Sequence, residues 1–302
     1  MRIILCLVVL SFFAFIPAGY GLAAGEAVGA FTRYTTVRED NLYDVARRFD
    51  VGIVELLAAN PNIDPWMPTE GSELAVPTVH VLPEIRKGIV INLSALRLFY
   101  FGDDGKVLTF PIGIGREGWQ TPVGTAKIVA KKKNPEWRPP PSIRKENPDL
   151  PEVFPAGEDN PLGDYAMYLG WSGVLIHSTN RPYGVGKRSS HGCIRLYPED
   201  MEVLFKEVKI GTKVTVIDKP YSVGWKDDLL FLEVKHSQNQ LDEIAEYKVP
   251  VAVSIPEIYD AIRKSAGEEG AGKKGMAEID WYKVEEAVAK RSGIPTIIGR
   301  RI

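Results

Sequence analysis

The sequence predicts a mainly β domain, a sandwich or barrel with one short helix, preceded by a small α+β module of strand–helix–helix–strand order. Three observations predict it. Between 87 and 218, short β-rich runs alternate with turn signals. Between 32 and 78, apolar residues take helical spacing between two strand candidates. Across 134–163, Pro135, Pro139, Pro140, Pro141, Pro148, Pro151, Pro155 and Pro161 interrupt the β pattern, a density that central strands do not accept.

The chain opens on Met1-Arg2, followed by an apolar run over 3–16 broken only by Ser11, then Pro17, Gly19 and Gly21-Leu22-Ala23. A basic start, a short apolar core and small residues near a cut site form a secretory signal. Residues 1–24 are therefore expected to be a leader, cleaved near Ala23 or Ala24, on an exported protein of the periplasm or cell envelope. The run falls short of the ~20 residues of a membrane span; a retained anchor is the alternative. Cys6 lies inside the apolar core, too early for a lipoprotein cut. Its removal leaves Cys193 as the one cysteine, so no intramolecular disulfide is possible. A lone thiol in an oxidising compartment is inert packing, a cross-linking group or a nucleophile.

The chain has 302 residues, with 45% hydrophobic and 25% charged, which allows a sizeable core. With 37 basic and 39 acidic residues and a net charge of -2, it gives no electrostatic reason to expect nucleic acid as a partner.

In the module, 34–37 is a short strand candidate and Asp40-Asn41 supplies N-cap chemistry. Leu42, Val45, Ala46 and Phe49 follow at i, i+3, i+4, i+7. Gly52 breaks the helix. Ile53, Leu56 and Leu57 mark a second one, ended by Asn60-Pro61, and 71–77 reads as a turn and closing strand. In the main domain, strands are expected over 88–93 and 96–101, joined at Ser94-Ala95, then over 107–113 after the hairpin signal Asp103-Asp104-Gly105. Further strands are expected over 125–130, 167–169, 174–176 and 213–217. Pro198 opens a helix with Met201, Leu204 and Phe205 on its apolar face. Trp137 and Phe154 make 134–163 a packed lid or wall beside a site. The tail, 219–302, offers a strand over 229–234, a helix with Ile258 and Ile262 on one face, a linker over 265–275, and a last helix capped by Asp280 with Trp281, Val284 and Val288 inward. No chemistry is assigned to it.

The chemistry concentrates in Ile176-His177-Ser178 and Ser190-His191-Gly192-Cys193-Ile194-Arg195. A cysteine nucleophile needs a base and donors for an oxyanion. If 190–193 is extended, His191 and Cys193 share a face without facing each other. A strand over 174–177 beside the Cys193 segment brings His177 to the thiol from across the sheet. That makes His177 the better base and His191 a supporting or oxyanion residue. Gly192, lacking Cβ, lets substrate approach the backbone. Arg195 alternates with Cys193, placed to hold a substrate carboxylate or to lower the thiol pKa. Residue types alone leave two other readings open. One is a buried inert thiol. The other is a zinc site of His177, His191 and Cys193, whose spacing fits no finger and which has no evident fourth ligand. No phosphate loop or convincing metal cluster is present in the sequence, so neither cofactor nor metal is expected.

Residues 87–218 resemble the YkuD-type L,D-transpeptidase catalytic domain. Its signature is a His, a gap, then Ser/Thr-His-Gly-Cys and an Arg two residues later. His177, Ser190, His191, Gly192, Cys193 and Arg195 match it, and Gly113-Ile114-Gly115-Arg116 and Thr121-Pro122-Val123-Gly124 also look like family segments. The resemblance implies Cys193 as nucleophile, His177 as base, and the Ser178 carbonyl as its orienting group. It also implies His191, with the Gly192 and Cys193 amides, around the oxyanion. Residues 32–78 resemble a LysM domain through Tyr34, Val37, Asp40-Asn41-Leu42, Ala46, Phe49, Leu56, Asn60-Pro61 and Leu74-Ala75-Val76-Pro77. That family binds the N-acetylglucosamine-containing glycan of peptidoglycan. Together they imply an enzyme that cleaves the diaminopimelate–D-Ala bond of tetrapeptide stems and transfers the acyl group to an amine. The amine belongs to another stem or to a lysine of an envelope lipoprotein; a LysM-like module with an extended tail looks more like the lipoprotein-anchoring members. A cysteine hydrolase (an L,D-carboxypeptidase) and an inactive glycan-binding scaffold are the rival expectations.

Overall fold

The structure is a computed structural model that describes residues 21–22, 26–246, 248–249, 254–267 and 277–302. The predicted leader lies outside these residues except for Gly21–Leu22, and the predicted linker lies outside them from 268 onward. Among the described residues, no helix is long and apolar enough to cross a membrane.

A mixed nine-stranded sheet organises the main domain. Its strand order is Gly21–Leu22, Lys106–Pro111, Arg97–Phe101, Gly88–Asn92, Lys213–Ile217, Gly124–Lys133, Tyr165–Leu169, Leu175–His177 and Ile194–Arg195. Two pairs are parallel, Gly88–Asn92 with Lys213–Ile217 and Leu175–His177 with Ile194–Arg195; the remaining pairs are antiparallel. Beyond Lys106–Pro111, the backbone of Gly113 exchanges hydrogen bonds of 2.8 and 2.9 Å with Arg195. This contact brings the chain just after the second strand in that order against the last strand, so the sheet curls towards a barrel there. The expectation of a mainly β domain holds in this form. The strand expected over 125–130 is longer, Gly124–Lys133. Lys131 hydrogen-bonds the Phe205 and Val208 carbonyls at the end of the helix Pro198–Glu207, where a cation meets the negative end of the helix dipole.

The 32–78 unit has the expected order: strand Thr32–Thr35, helices Leu42–Arg48 and Ile53–Ala59, strand Glu73–Val76, with the two strands antiparallel. The Asn41 side chain accepts the Asp44 amide at 3.0 Å and starts the first helix. The unit is not separate in its packing. Leu42, Val45, Ile53, Leu56 and Leu74 belong to one apolar cluster with Ile89, Ile91, Leu98 and Leu108 of the main sheet. The helices are short and carry apolar residues on more than one side, so the main sheet completes their core.

The tail holds more structure than its sequence suggests. Strands Tyr221–Lys226, Leu229–Val234, Thr296–Arg301 and Ala277–Ile279 form a four-stranded antiparallel sheet. Helices Glu257–Ser265 and Trp281–Lys290 pack on it through Ile258, Ile262, Val284 and Ala287. Asp280 caps the last helix through the Lys283 amide. A further helix, Gln238–Ala245, leaves this sheet and buries Leu241 and Ile244 in the main core.

Candidate active site

The site forms where Leu175–His177 runs parallel to Ile194–Arg195, with Ile176 opposite Ile194 and His177 opposite Arg195. Partners in a ladder share a face. His177 and Arg195 therefore share a face, and Cys193 immediately precedes the paired strand.

The His177 ring is buried, and its Nδ1 lies 2.5 Å from the Ser178 carbonyl oxygen. A carbonyl only accepts, so Nδ1 carries the proton of the neutral ring and Nε2 is left bare. Burial pulls the imidazole down to about 3, and the Arg195 charge adds to this; the Ser178 and Leu162 carbonyls pull the other way. The ring is therefore neutral across the physiological range. The Cys193 thiol is raised by burial, against the Leu175 amide and the Arg195 charge, which both favour thiolate. Arg195 acts in the direction expected of it, but burial outweighs it.

The turn into Cys193 departs from the extended reading. Strand Arg188–Ser190 ends, and Gly192 takes φ +98, in the left-handed region that favours glycine. The alternation breaks there, and His191 faces other partners. Its Nε2 lies 2.9 Å from Glu146 Oε2 and 3.0 Å from Arg116 Nη2, and its ring meets Trp119 edge-on. The Gly192 amide, expected beside the oxyanion, donates instead to Ser190 Oγ at 3.2 Å. Ser190 Oγ in turn donates to the Cys193 carbonyl at 2.6 Å. Ser190 is thus the brace of the turn. Thr121 holds the same turn from below, donating to the Gly192 carbonyl at 3.1 Å and accepting the Gly115 amide at 3.0 Å.

Sequence reasoning missed several neighbours. Glu146 closes the helix Pro141–Glu146 in the proline-rich segment and accepts from Arg116 Nη2 at 2.7 Å and from Trp119 Nε1 at 2.9 Å. These bonds, led by that from His191, hold its carboxyl below the usual range. The segment is pinned at its base by the Trp137–Phe154 bridge and by buried Asn160, which donates to the Pro135, Phe154 and Pro155 carbonyls. It therefore stands as a wall beside His191. No local signal marked Glu146; Arg116 lay in a segment noted as family-like.

His191 points away towards Glu146, so His177, His191 and Cys193 do not converge as a zinc site. Three other residues place ligand atoms within 4.8 Å of one another: Glu55, His80 and Glu233. A cation already sits among them. Lys235 Nζ is 2.8 Å from Glu233 Oε1 and 3.4 Å from Glu55 Oε1, and Arg97 Nη2 is 3.2 Å from Glu55 Oε2. Two carboxylates face two cations, and burial, with Arg97 and Lys235, holds His80 neutral. A divalent ion would have to expel Lys235 and leave excess buried charge. The group is an ion cluster rather than a metal centre.

Comparison with known proteins gives the family. The L,D-transpeptidase catalytic domain family, YkuD, matches residues 86–216. The chain is 37% identical over 263 residues to the probable L,D-transpeptidase ErfK/SrfK of Escherichia coli K12, covering 84% of this chain and 80% of that protein. It is 34% identical to the probable L,D-transpeptidase YbiS of the same organism, over 83% of this chain and 80% of that one. It is likewise 34% identical to YcfS, over 92% and 87%. With a matching catalytic domain and this level of identity across most of both chains, the protein belongs to the L,D-transpeptidase family.

Proposed function

We propose that the protein cleaves the diaminopimelate–D-Ala amide of tetrapeptide stems in peptidoglycan and transfers the acyl group to an amine, with Cys193 as nucleophile and His177 as base. The observation that carries this is His177: a buried neutral ring whose Nδ1 is committed to the Ser178 carbonyl, in a strand parallel to the one that directly follows Cys193. The thiol proton passes from Sγ to His177 Nε2 as sulfur bonds to the carbonyl carbon. The Cys193 amide, which Ser190 does not engage, is the candidate oxyanion donor. Collapse breaks the C–N bond, and D-Ala leaves with the proton from Nε2. The acceptor amine then attacks the thioester as it gives a proton to Nε2, the C–S bond breaks, and Nε2 returns that proton to Sγ. Arg195, whose Nε is buried without a hydrogen-bond partner, is placed to meet a substrate carboxylate.

The acceptor is another stem or a lysine of an envelope lipoprotein. The 32–78 unit is a LysM-like module that holds the glycan strand, and the leader directs the enzyme to the periplasm. The test is mass spectrometry of tetrapeptide muropeptides incubated with the protein, with and without a lysine peptide. D-Ala release with a cross-linked product is expected. Release without a product in either arm makes water the acceptor and the enzyme a carboxypeptidase. No release sinks the proposal. Cys193→Ala should lose about a thousandfold or more in rate; retained activity rejects the nucleophile.

A further inference from the structure

We infer that the 32–78 unit and the C-terminal helix Gln238–Ala245 clamp the segment 181–190 from two sides, and that Gly52, Gly186, Arg188 and Asp242 are positioning residues for the reaction at Cys193. The inference takes the proposed reaction as given.

The segment 181–190 leads directly into the turn that carries Cys193. On its inner side it is tied to 112–116, with Arg188–Ser190 parallel to Ile114–Gly115 in a two-stranded sheet. The Gly186 amide donates to the Ile112 carbonyl at 3.1 Å, Ile114 to Lys187 at 3.1 Å and Arg116 to Ser190 at 3.0 Å. On one outer side it meets the N-terminal unit backbone to backbone. Gly186 has φ +75, and a Cβ there would lie 2.3 Å from Gly52 Cα and 2.4 Å from the Ile53 nitrogen. A Cβ on Gly52 would lie 2.9 Å from Gly186 Cα. The Val54 amide donates to the Gly186 carbonyl at 3.2 Å, and the Tyr183 hydroxyl donates to Asp44 Oδ1 at 3.1 Å. The approach is close enough that neither position has room for a side chain.

On the other side, Arg188 Nη1 donates to Asp242 Oδ2 at 2.6 Å and to the Gln238 carbonyl at 3.0 Å. The Arg188 side chain is only 3% exposed, so the pair is far less screened than a surface bridge. Two units that hold neither Cys193 nor His177 thus meet the same short segment. The segment ends at Ser190, whose hydroxyl sets the Gly192 amide and the Cys193 carbonyl. It also carries Gly184, whose carbonyl accepts from Ser189 and whose Cα faces Arg195. A displacement of 181–190 moves the thiol and the Arg195 guanidinium relative to His177. Small misplacements of reacting groups are costly in rate.

The test uses the full chain. Gly52 has φ -78, which alanine accepts, and its only contact closer than ordinary is Gly186 Cα. Gly52→Ala therefore pushes on the segment while leaving its own helix intact. Asp242→Asn releases the opposite side, and Asp242→Glu restores the charge. Two readouts serve: kcat and KM for D-Ala release, and the rate of Cys193 alkylation by iodoacetamide against pH. Gly52→Ala and Asp242→Asn should each lower kcat by about ten- to a hundredfold, with KM within about twofold. Each should shift the alkylation profile; the melting temperature should move by less than about 4 °C in Gly52→Ala, whereas Asp242→Asn, which leaves the buried Arg188 without its carboxylate, is read together with its Glu rescue. Asp242→Glu should recover most of the rate. Parental kcat and alkylation profile in both variants overturn the inference, as do losses that follow a fall in melting temperature and are not rescued by Glu. If the parent chain releases no D-Ala, the proposed reaction fails, and the alkylation profiles still decide whether the clamp sets the thiol.

Discussion

His177 is held in one protonation state by its surroundings, which gives it two measurable signatures. Its pKa of about 3 leaves a bare Nε2 available at any pH above that value. The kcat/KM profile should therefore show no acid limb near 6.5, the ordinary imidazole value, and should rise on the alkaline side as the raised thiol ionises. An acid limb near 6.5 in D-Ala release would mean that the imidazole titrates normally. The second signature is stability. The unfolded chain binds a proton at His177 below about 6.5, whereas the folded protein does so only near 3. Folding thus gains stability from this group above 6.5 and loses it as pH falls towards 3. Melting temperatures between about pH 7 and 4 should decline less steeply in His177→Gln than in the parent. At this scale the motif was largely legible. His177, Ser178, Ser190, Gly192, Cys193 and Arg195 are linked by the strand pair and the bonds of the turn, and His191 turns to Glu146. The roles of Ser190, Gly192 and His191 were not, because they depend on one left-handed residue and on a carboxylate brought from Glu146.

Elements with local signatures were read closely. The helices Leu42–Arg48 and Pro198–Glu207 start at the expected cap and proline. The strands Tyr221–Lys226 and Thr296–Arg301 were missed, since Gly224 and Gly299 interrupt runs that are short and partly polar. The strand–helix–helix–strand unit has the expected order, yet its apolar residues merge with those of the sheet. Deleting 32–78 would uncover that core, so glycan binding is better tested by a surface substitution. Trp66 is 51% exposed and stacks on Tyr43 at 4.6 Å. If the unit holds glycan, Trp66→Ala should weaken retention of the full chain on purified sacculi by about three- to tenfold. Unchanged retention would remove this face of the unit from glycan binding.

Across the whole molecule, three units meet at the buried cluster of Glu55, His80, Arg97, Glu233 and Lys235. Lys235 is buried between two carboxylates. Lys235→Met should destabilise the protein by about 3–5 kcal/mol, because one of two balancing cations is lost inside the protein. Urea denaturation measures it; a change below about 1 kcal/mol would show that the cluster is not ionised as described. Residue order alone sufficed for the β-rich domain, the helical spacing of the first unit and the thiol motif. Each of these rests on neighbours within a few positions, where periodicity, caps and turn residues act directly. The closure of the sheet through Gly113 and Arg195, the shared core, the tail sheet and the clamp on 181–190 emerged only in the fold. So did the neutrality of His177. These depend on which surfaces meet between residues far apart in the chain, and burial, which sets both packing and pKa, is a property of the assembled surfaces and not of the local sequence.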